Sequence, residues 1–68
     1  MMIQIRLNGE PREIPADFNL ARLLQDLKLN PKQVAIAKNW EVIIRSELAS
    51  TPMVDGDEIE IFHAVGGG

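Results

Sequence analysis

The opening segment of the chain has the pattern of a β-hairpin. Apolar and polar residues alternate from Ile3 to Leu7, which is the period-two pattern of a half-buried strand. Asn8 and Gly9 follow, a pair favoured in two-residue hairpin turns because both positions tolerate positive φ. Residues 10–14 are therefore expected to return antiparallel. Pro11 has no N–H to donate, so it predicts that this second strand lies at a sheet edge.

Apolar residues of the next segment recur at helical spacing. Leu20, Leu23, Leu24 and Leu27 fall at positions i, i+3, i+4 and i+7, which places them on one stripe of a helix. Asn19 directly precedes the stripe and is expected to cap the helix, since its side-chain oxygen can accept a hydrogen bond from an early backbone N–H. The sequence thus predicts one main helix after the hairpin.

Shorter apolar runs in the second half of the chain predict three further strands. The predicted elements are strands at 34–38, 42–44 and 58–65, turns at 39–41 and 55–57, and a short helical turn at 46–51. The resulting fold class is α+β: a mixed sheet of four to five strands, with the helix packed on one face.

The last predicted strand separates apolar from mainly polar positions. Alternation puts Ile59, Ile61, His63 and Val65 on one face and Glu58, Glu60, Phe62 and Ala64 on the other. The helix is expected to cover the odd-numbered face, which leaves Phe62 exposed as an anchor for a partner protein. The alternative is a register shifted by one residue, which would turn Phe62 inward.

Composition excludes several kinds of protein. With 68 residues and no Cys, the chain is expected to form one domain without disulfides or a thiol nucleophile, and its single His leaves too few ligands for zinc. The N-terminus lacks the basic and apolar regions of a signal peptide, and no apolar run is long enough to span a membrane. We therefore expect a cytoplasmic protein with no membrane partner.

Charge is unevenly distributed along the chain. Residues 1–38 carry a net charge of +2, whereas residues 39–68 carry −5. This acidic second half, without a basic stripe around aromatic residues, argues against binding to nucleic acid. It is compatible either with a solvated face that maintains solubility or with a surface that meets a basic partner.

Three glycines complete the sequence, and we expect them to form a flexible tail, 66–68, beyond a folded domain, 1–65. A stalk without side chains can pass through a narrow channel. Extended, three residues span about 10 Å. Such a stalk can present the Gly68 carboxylate to the active site of another protein, which would make this carboxylate the reactive group.

Several segments together resemble the ThiS family of sulfur carriers, which have the ubiquitin-like β-grasp fold. The matching segments are Ile3-Gln-Ile-Arg-Leu-Asn-Gly9, Leu20-Ala-Arg-Leu-Leu24, Val34-Ala-Ile-Ala37, Asp55-Gly-Asp57 and His63-Ala-Val-Gly-Gly-Gly68. The resemblance covers essentially the whole chain. The sequence departs from the family at Trp40, where a small residue is common, and at Ile44, where Pro is common.

The resemblance implies a role as a protein co-substrate and not as an enzyme. It implies that a ThiF-like activating enzyme uses ATP to adenylate Gly68, and that a persulfide donor supplies sulfur to form a thiocarboxylate. A ThiG-like thiazole synthase then takes the sulfur for the thiazole of thiamine. No cofactor is expected to bind to the chain itself. Gly66 and Gly67 are expected to thread the partner's active site, beside a contact surface formed by Glu58, Glu60, Phe62, Ala64 and Val65.

Other roles fit the same residues. A carrier similar to the small subunit of molybdopterin synthase, a ubiquitin-like protein modifier and a simple interaction domain all remain open. His63 is expected to be a partly covered structural residue at the end of its strand and not a catalytic one. Trp40 is expected to lie over its own sheet as a turn residue.

Overall fold

The computed structural model describes residues 1–63, and these form a five-stranded mixed sheet with one helix on one face. The elements are β1 (Met2–Leu7), β2 (Glu10–Pro15), α1 (Leu20–Asp26), β3 (Val34–Lys38), β4 (Glu41–Ile43), a 3₁₀ helix (Arg45–Ser50) and β5 (Glu58–His63). The predicted boundary between a domain at 1–65 and a tail at 66–68 lies outside the described residues. So do the last two positions of the predicted final strand.

The strand order is β2-β1-β5-β3-β4, which places the last strand at the centre. β1 and β2 pair antiparallel through the predicted hairpin, and β2 lies at an edge, as Pro11 indicated. β5 pairs parallel with β1 and antiparallel with β3. The sheet is therefore mixed, and the two terminal segments of the described chain are joined in its middle.

The core lies between α1 and the face of the sheet that carries the isoleucines. Leu20, Leu23 and Leu24 of the helix are buried against Ile5 and Ile59, which confirms the predicted leucine stripe. Burying side chains of this size from water supplies about 1.5–3 kcal/mol each. Because α1 covers this face of the sheet, the opposite face is the one available to a partner.

Asn19 caps the helix as predicted and also connects it to the second half of the chain. Its Oδ1 accepts a hydrogen bond from the Arg22 backbone N–H at 2.8 Å, and its Nδ2 donates to the Ala49 carbonyl at 3.0 Å. One side chain thus stabilises the start of α1 and holds the 3₁₀ helix against it.

The β3–β4 connection is shorter than predicted. Asn39 and Trp40 both adopt positive φ, 50° and 72°, and form a two-residue turn. Glu41 therefore pairs with Lys38 within the ladder, so its assignment to the turn is wrong and β4 begins one residue early. Ile44, assigned to the strand, instead caps the 3₁₀ helix, which itself begins one residue before the predicted segment.

Among residues 1–63, no helix is both long and apolar enough to cross a bilayer.

Candidate functional site

The outer face of the sheet, opposite α1, has a polar half and an apolar half. The polar half lies on β1 and β2, where Arg6 is opposite Pro11 and Gln4 is opposite Glu13. The apolar half lies on β3 and β4. β5 runs between the two halves and carries the predicted contact residues.

Three contact residues predicted on β5 share this outer face. Phe62 is 52% exposed, which confirms that it points away from the core, while Ile59 on the other face is completely buried. The shifted register is therefore ruled out. Glu58 and Glu60 are half-buried on the same face as Phe62. Ala64, Val65, Gly66, Gly67 and Gly68 lie outside the described residues, so their predicted roles stay predictions.

The acidic side chains of this face differ in their surroundings. Glu58 pairs with Arg6, with 3.4 Å between Oε1 and Nε. A partly exposed pair of this kind contributes little to stability because water screens it. Among the described residues, Glu60 has no ion pair, so its carboxylate is available to a partner's cation.

The apolar half of the outer face extends the site to residues that sequence reasoning did not single out. Ala35 lies opposite Phe62, and Ala37 lies between Glu60 on one side and Val42 on the other. Val42 is 69% exposed, and Ile44, on the same side of the chain two residues later, is 58% exposed. The signal was present in the sequence, since period-two alternation around Ile36 and Ile43 already assigns these residues to the face away from the core.

We call this set the β3–β4 face: Ala35, Ala37, Val42 and Ile44, bordered on β5 by Phe62 and Glu60. Neighbouring strands lie about 4.8 Å apart. The two alanines of β3 therefore form a low strip between the larger side chains of β4 and Phe62. Ala35 is exposed, whereas Ala37 is buried at 6% exposure.

Two expectations about single residues are wrong. His63 is exposed, not partly covered, although it pairs with Val34 at the end of the β3–β5 ladder. Trp40 is 73% exposed and so does not lie over its own sheet. Its left-handed backbone conformation directs the side chain into solvent instead of onto β3 or β4.

Trp40→Gly is expected to stabilise the protein by about 1 kcal/mol. A bulky residue at φ 72° is strained, whereas Gly adopts this region at no steric cost, although Gly also gains entropy in the unfolded chain. Urea unfolding measures the difference. Asn39→Gly is the matched control at the neighbouring position and should destabilise, because Asn39 Nδ2 donates to Asp57 and its Oδ1 accepts from Glu58 N–H. A less stable Trp40→Gly variant would contradict the assignment of strain.

An open groove of about 620 Å³ lies elsewhere, along α1. Phe18 and Arg22 line it, with the guanidinium carbon 5.1 Å from the centre of the ring. Among residues 1–63, none of the predicted site residues lines this groove, so it is separate from the outer face of the sheet.

The architecture is that of the ubiquitin-like β-grasp proteins, as the sequence predicted. The ThiS family model matches residues 5–68, and the chain belongs to the ThiS family. Its fold is very similar to that of the thiamine biosynthesis protein ThiS from Geobacter metallireducens, with a TM-score of 0.86 and 30% identity over 97% of this chain and 100% of that one. The sulfur carrier protein ThiS of Thermus thermophilus is 34% identical, covering 91% of this chain and 95% of that protein.

Two further proteins that are similar to this chain are not named ThiS. A thiazole synthase from Magnetococcus marinus is 36% identical over 97% of this chain, which spans only 20% of that protein's length. A complex of subunits 1 and 2 of the molybdopterin-converting factor from Helicobacter pylori matches with a TM-score of 0.60 and 31% identity, over the full length of both chains. This chain is therefore similar to one whole chain of that complex and to one fifth of a thiazole synthase.

Proposed function

We propose that this protein carries sulfur for the thiazole of thiamine, and that Gly68 is the residue that holds the sulfur. The family match carries the proposal, because it extends over residues 5–68 and so includes the glycines. The similarity to a sulfur carrier protein over nearly its whole length supports the same role. In this role the chain is a substrate of other enzymes and supplies no catalytic group of its own.

The chemistry begins with activation of a poor electrophile. A carboxylate resists nucleophilic attack because of its charge and resonance. A Gly68 carboxylate oxygen attacks the α-phosphorus of ATP on a ThiF-like activating enzyme, and pyrophosphate leaves. The resulting acyl-adenylate has a good leaving group, AMP, on the Gly68 carbonyl carbon.

Sulfur then replaces AMP. The terminal sulfur of a persulfide donor attacks the Gly68 carbonyl carbon, and AMP departs with the electrons of the broken C–O bond. A thiol then attacks the donor's sulfur in the acyl disulfide that links Gly68 to the donor, which releases the thiocarboxylate and leaves the thiol and the donor joined in a disulfide. These steps need access to Gly68 inside a closed site. Glycines have no side chains, so a glycine segment can pass through the narrow entrance of such a site. ATP and reduced thiols are both abundant in the cytoplasm, where we place the protein.

A thiazole synthase is the proposed acceptor of the sulfur. The thiazole synthase of Magnetococcus marinus contains a segment similar to this chain in one fifth of its length. Covalent attachment of two functions in one protein favours a joint role, so we propose that a ThiG-like synthase takes the sulfur from Gly68 in this case too. A molybdopterin-type carrier is the second candidate, supported by the similarity to the molybdopterin-converting factor complex. The higher TM-score with ThiS, 0.86 against 0.60, favours the first.

The proposal predicts a single alkylated product. The protein is incubated with ATP, a ThiF-type activating enzyme and sulfide, then treated with iodoacetamide, and its intact mass and fragments are measured. One adduct is expected, and it should map to Gly68. The sequence has no Cys, so an adduct at that position reports a thiocarboxylate.

The alkylation step is essential to this experiment. Exchange of oxygen for sulfur changes the mass by nearly the same amount as oxidation of one Met, and the chain has three Met residues. Omission of ATP is the control and should remove the adduct. If no adduct forms while the activating enzyme modifies its own carrier normally, the proposal is wrong.

A further inference from the structure

We infer that the open edge of β4 pairs with the same edge of a second copy of this chain, antiparallel and about a twofold axis at Val42. The contact joins the two five-stranded sheets into one continuous sheet. This inference does not depend on the role of Gly68, because it concerns an edge of the sheet and not the central strand that precedes the glycines.

The two edges of the sheet differ in their protection against such pairing. An edge strand presents unpaired backbone N–H and C=O groups, and Pro or charged side chains commonly block it. β2 has both kinds of protection, since its six residues include Pro11, Pro15 and three charged residues. The segment 40–44, which contains β4, has no Pro and a single charged residue, Glu41. The β4 edge is therefore the one open to pairing.

The register of β3 and β4 directs the backbone of Val42 toward this open edge. Lys38 and Glu41 flank the two-residue turn, so they form a pair that exchanges both backbone hydrogen bonds. Antiparallel pairs alternate, so the next pair, Ala37 and Val42, exchanges none. The N–H and C=O groups of Val42 consequently point away from β3, where another strand can pair with them.

The segment around Val42 is complementary to a second copy of itself. With the twofold axis at Val42, the N–H of each Val42 donates to the C=O of the other, and Trp40 of one copy comes beside Ile44 of the other. Trp40, Val42 and Ile44 are 73%, 69% and 58% exposed in the single chain. Aromatic and β-branched side chains are favourable neighbours across antiparallel strands. The pairing therefore covers three exposed apolar side chains of each copy.

The charges of this segment are compatible with the pairing. Glu41 comes opposite Ile43 of the second copy and diagonal to its Arg45, so no like charges lie directly opposite each other. Neither Glu41 nor Arg45 forms an ion pair among residues 1–63. Each carboxylate is therefore attracted to a guanidinium of the other copy.

The conformation of Trp40 supports a contact at this edge. Its φ of 72° is strained for a bulky residue, yet most of its side chain lies in solvent. Strained residues of this kind are concentrated at functional contacts. Trp40→Gly is therefore expected to weaken the dimer, although it stabilises the single chain.

The dimer is expected to be weak and reversible. About five residues of each copy take part, whereas stable interfaces use about 20–30 a side. β3 lies between β4 and β5, and the twofold axis turns the two β5 strands in opposite directions. The contact thus leaves β5 of both copies uncovered.

Sedimentation velocity over a series of protein concentrations tests the pairing. The wild type is expected to sediment faster as its concentration rises. Val42→Lys and Val42→Glu should each raise the dissociation constant about tenfold or more, because residue 42 faces its own copy and like charges then oppose each other. An equimolar mixture of the two variants should associate again. Val54→Lys is the matched control, since Val54 is 60% exposed and lies outside β4, and it should behave as the wild type.

Disulfide trapping provides a second test that adds no charge. The chain has no Cys, so Val42→Cys introduces a single thiol. Residues directly opposite each other in a hydrogen-bonded antiparallel pair have Cα atoms about 5.5 Å apart, within the range of about 4.4–6.8 Å that a disulfide requires. Mild oxidation should link Val42→Cys into dimers much faster than Val54→Cys. Thermal unfolding of every variant checks that folded proteins are compared.

The inference is overturned by any of three results. The first is a wild type that remains monomeric at every concentration, with equal rates of disulfide formation in the two Cys variants. The second is a dimer that Val42→Lys leaves intact, since another surface would then hold it. The third is a mixture of the Lys and Glu variants at position 42 that stays monomeric, because residue 42 would then not face its own copy. None of these measurements uses ATP or an activating enzyme, so the proposed function is unaffected by their outcome.

Discussion

Gly67→Val is expected to abolish formation of the thiocarboxylate while leaving the unfolding midpoint unchanged. In the proposed function, the activating enzyme must enclose the Gly68 carbonyl to exclude water from the acyl-adenylate. A branched side chain at the adjacent position widens the segment and restricts its backbone, so the Gly68 carboxylate no longer reaches the α-phosphate of ATP in a reactive geometry. A misplacement of about 1 Å can reduce a rate by about a hundredfold. ATP–pyrophosphate exchange and alkylation of the product measure this loss.

Gly9→Ala provides the converse control. Gly9 lies in the β1–β2 turn at φ 86°, and apart from its chain neighbours no atom lies within 4 Å of the position that an added Cβ would occupy. The substitution is therefore expected to cost about 1 kcal/mol through backbone strain, without a steric clash and without an effect on exchange. Gly67→Val should therefore lose activity without losing stability, and Gly9→Ala should lose stability without losing activity. Normal exchange by Gly67→Val would contradict the threading of the glycines through the enzyme.

Local patterns in the sequence predicted most of the elements because each depends on near neighbours. Alternation identified β1 and both faces of β5, and the leucine spacing identified α1 together with its cap at Asn19. The exposure of Phe62 followed from the same alternation once the buried face was chosen correctly. These features need no knowledge of which strands are adjacent.

The order of the strands is not determined by local patterns. β1 and β5 are more than fifty residues apart, yet they pair in the centre of the sheet. Asn8 reinforces this pairing, because its backbone N–H donates to the Ile59 carbonyl and its Oδ1 accepts from the Ile61 N–H at 2.8 Å. As part of an Asn-Gly turn it carried no sign of that long-range role.

The β3–β4 turn was assigned incorrectly for a related reason. Local steric preferences favour Gly or Asn at positive φ, so they give no reason to place Trp40 there. The conformation is held by contacts from elsewhere: Asn39 N–H donates to the Glu58 carbonyl, and its side chain bonds both Asp57 and the Glu58 N–H. Tertiary bonds to β5 thus override the local preference of the turn.

Asp57 is the second residue whose substitution should have a large effect, here on stability. It was predicted only as part of a turn, but the residue is buried, with 5% exposure. Oδ2 accepts a hydrogen bond from the Val54 N–H at 2.8 Å, and Oδ1 accepts one from Asn39 Nδ2 at 3.0 Å. Lys38 Nζ lies 3.7 Å from Oδ2. One buried carboxylate therefore connects the loop before β5, the β3–β4 turn and the end of β3.

Asp57→Ala is expected to lower the free energy of unfolding by about 2–4 kcal/mol. It leaves a partly buried backbone N–H and a side-chain amide without their acceptor, and it leaves the Lys38 ammonium without its counter-charge. A domain of this size has a total stability of only about 3–10 kcal/mol, so a large part of the population should unfold well below the wild-type midpoint. Urea unfolding at neutral pH gives the difference directly.

Asp55→Ala separates this effect from the loss of any acidic residue in the same turn. Asp55 also accepts a backbone hydrogen bond, from the Gln4 N–H at 2.7 Å, but the bond is exposed and water can replace it. Its removal should therefore cost no more than about 1 kcal/mol. Asp57→Asn should fall between the two, since the amide keeps one acceptor oxygen but places its NH₂ group near the donors of Val54 or Asn39. If the two alanine variants were equally stable, the buried position of the carboxylate would not be the source of its contribution.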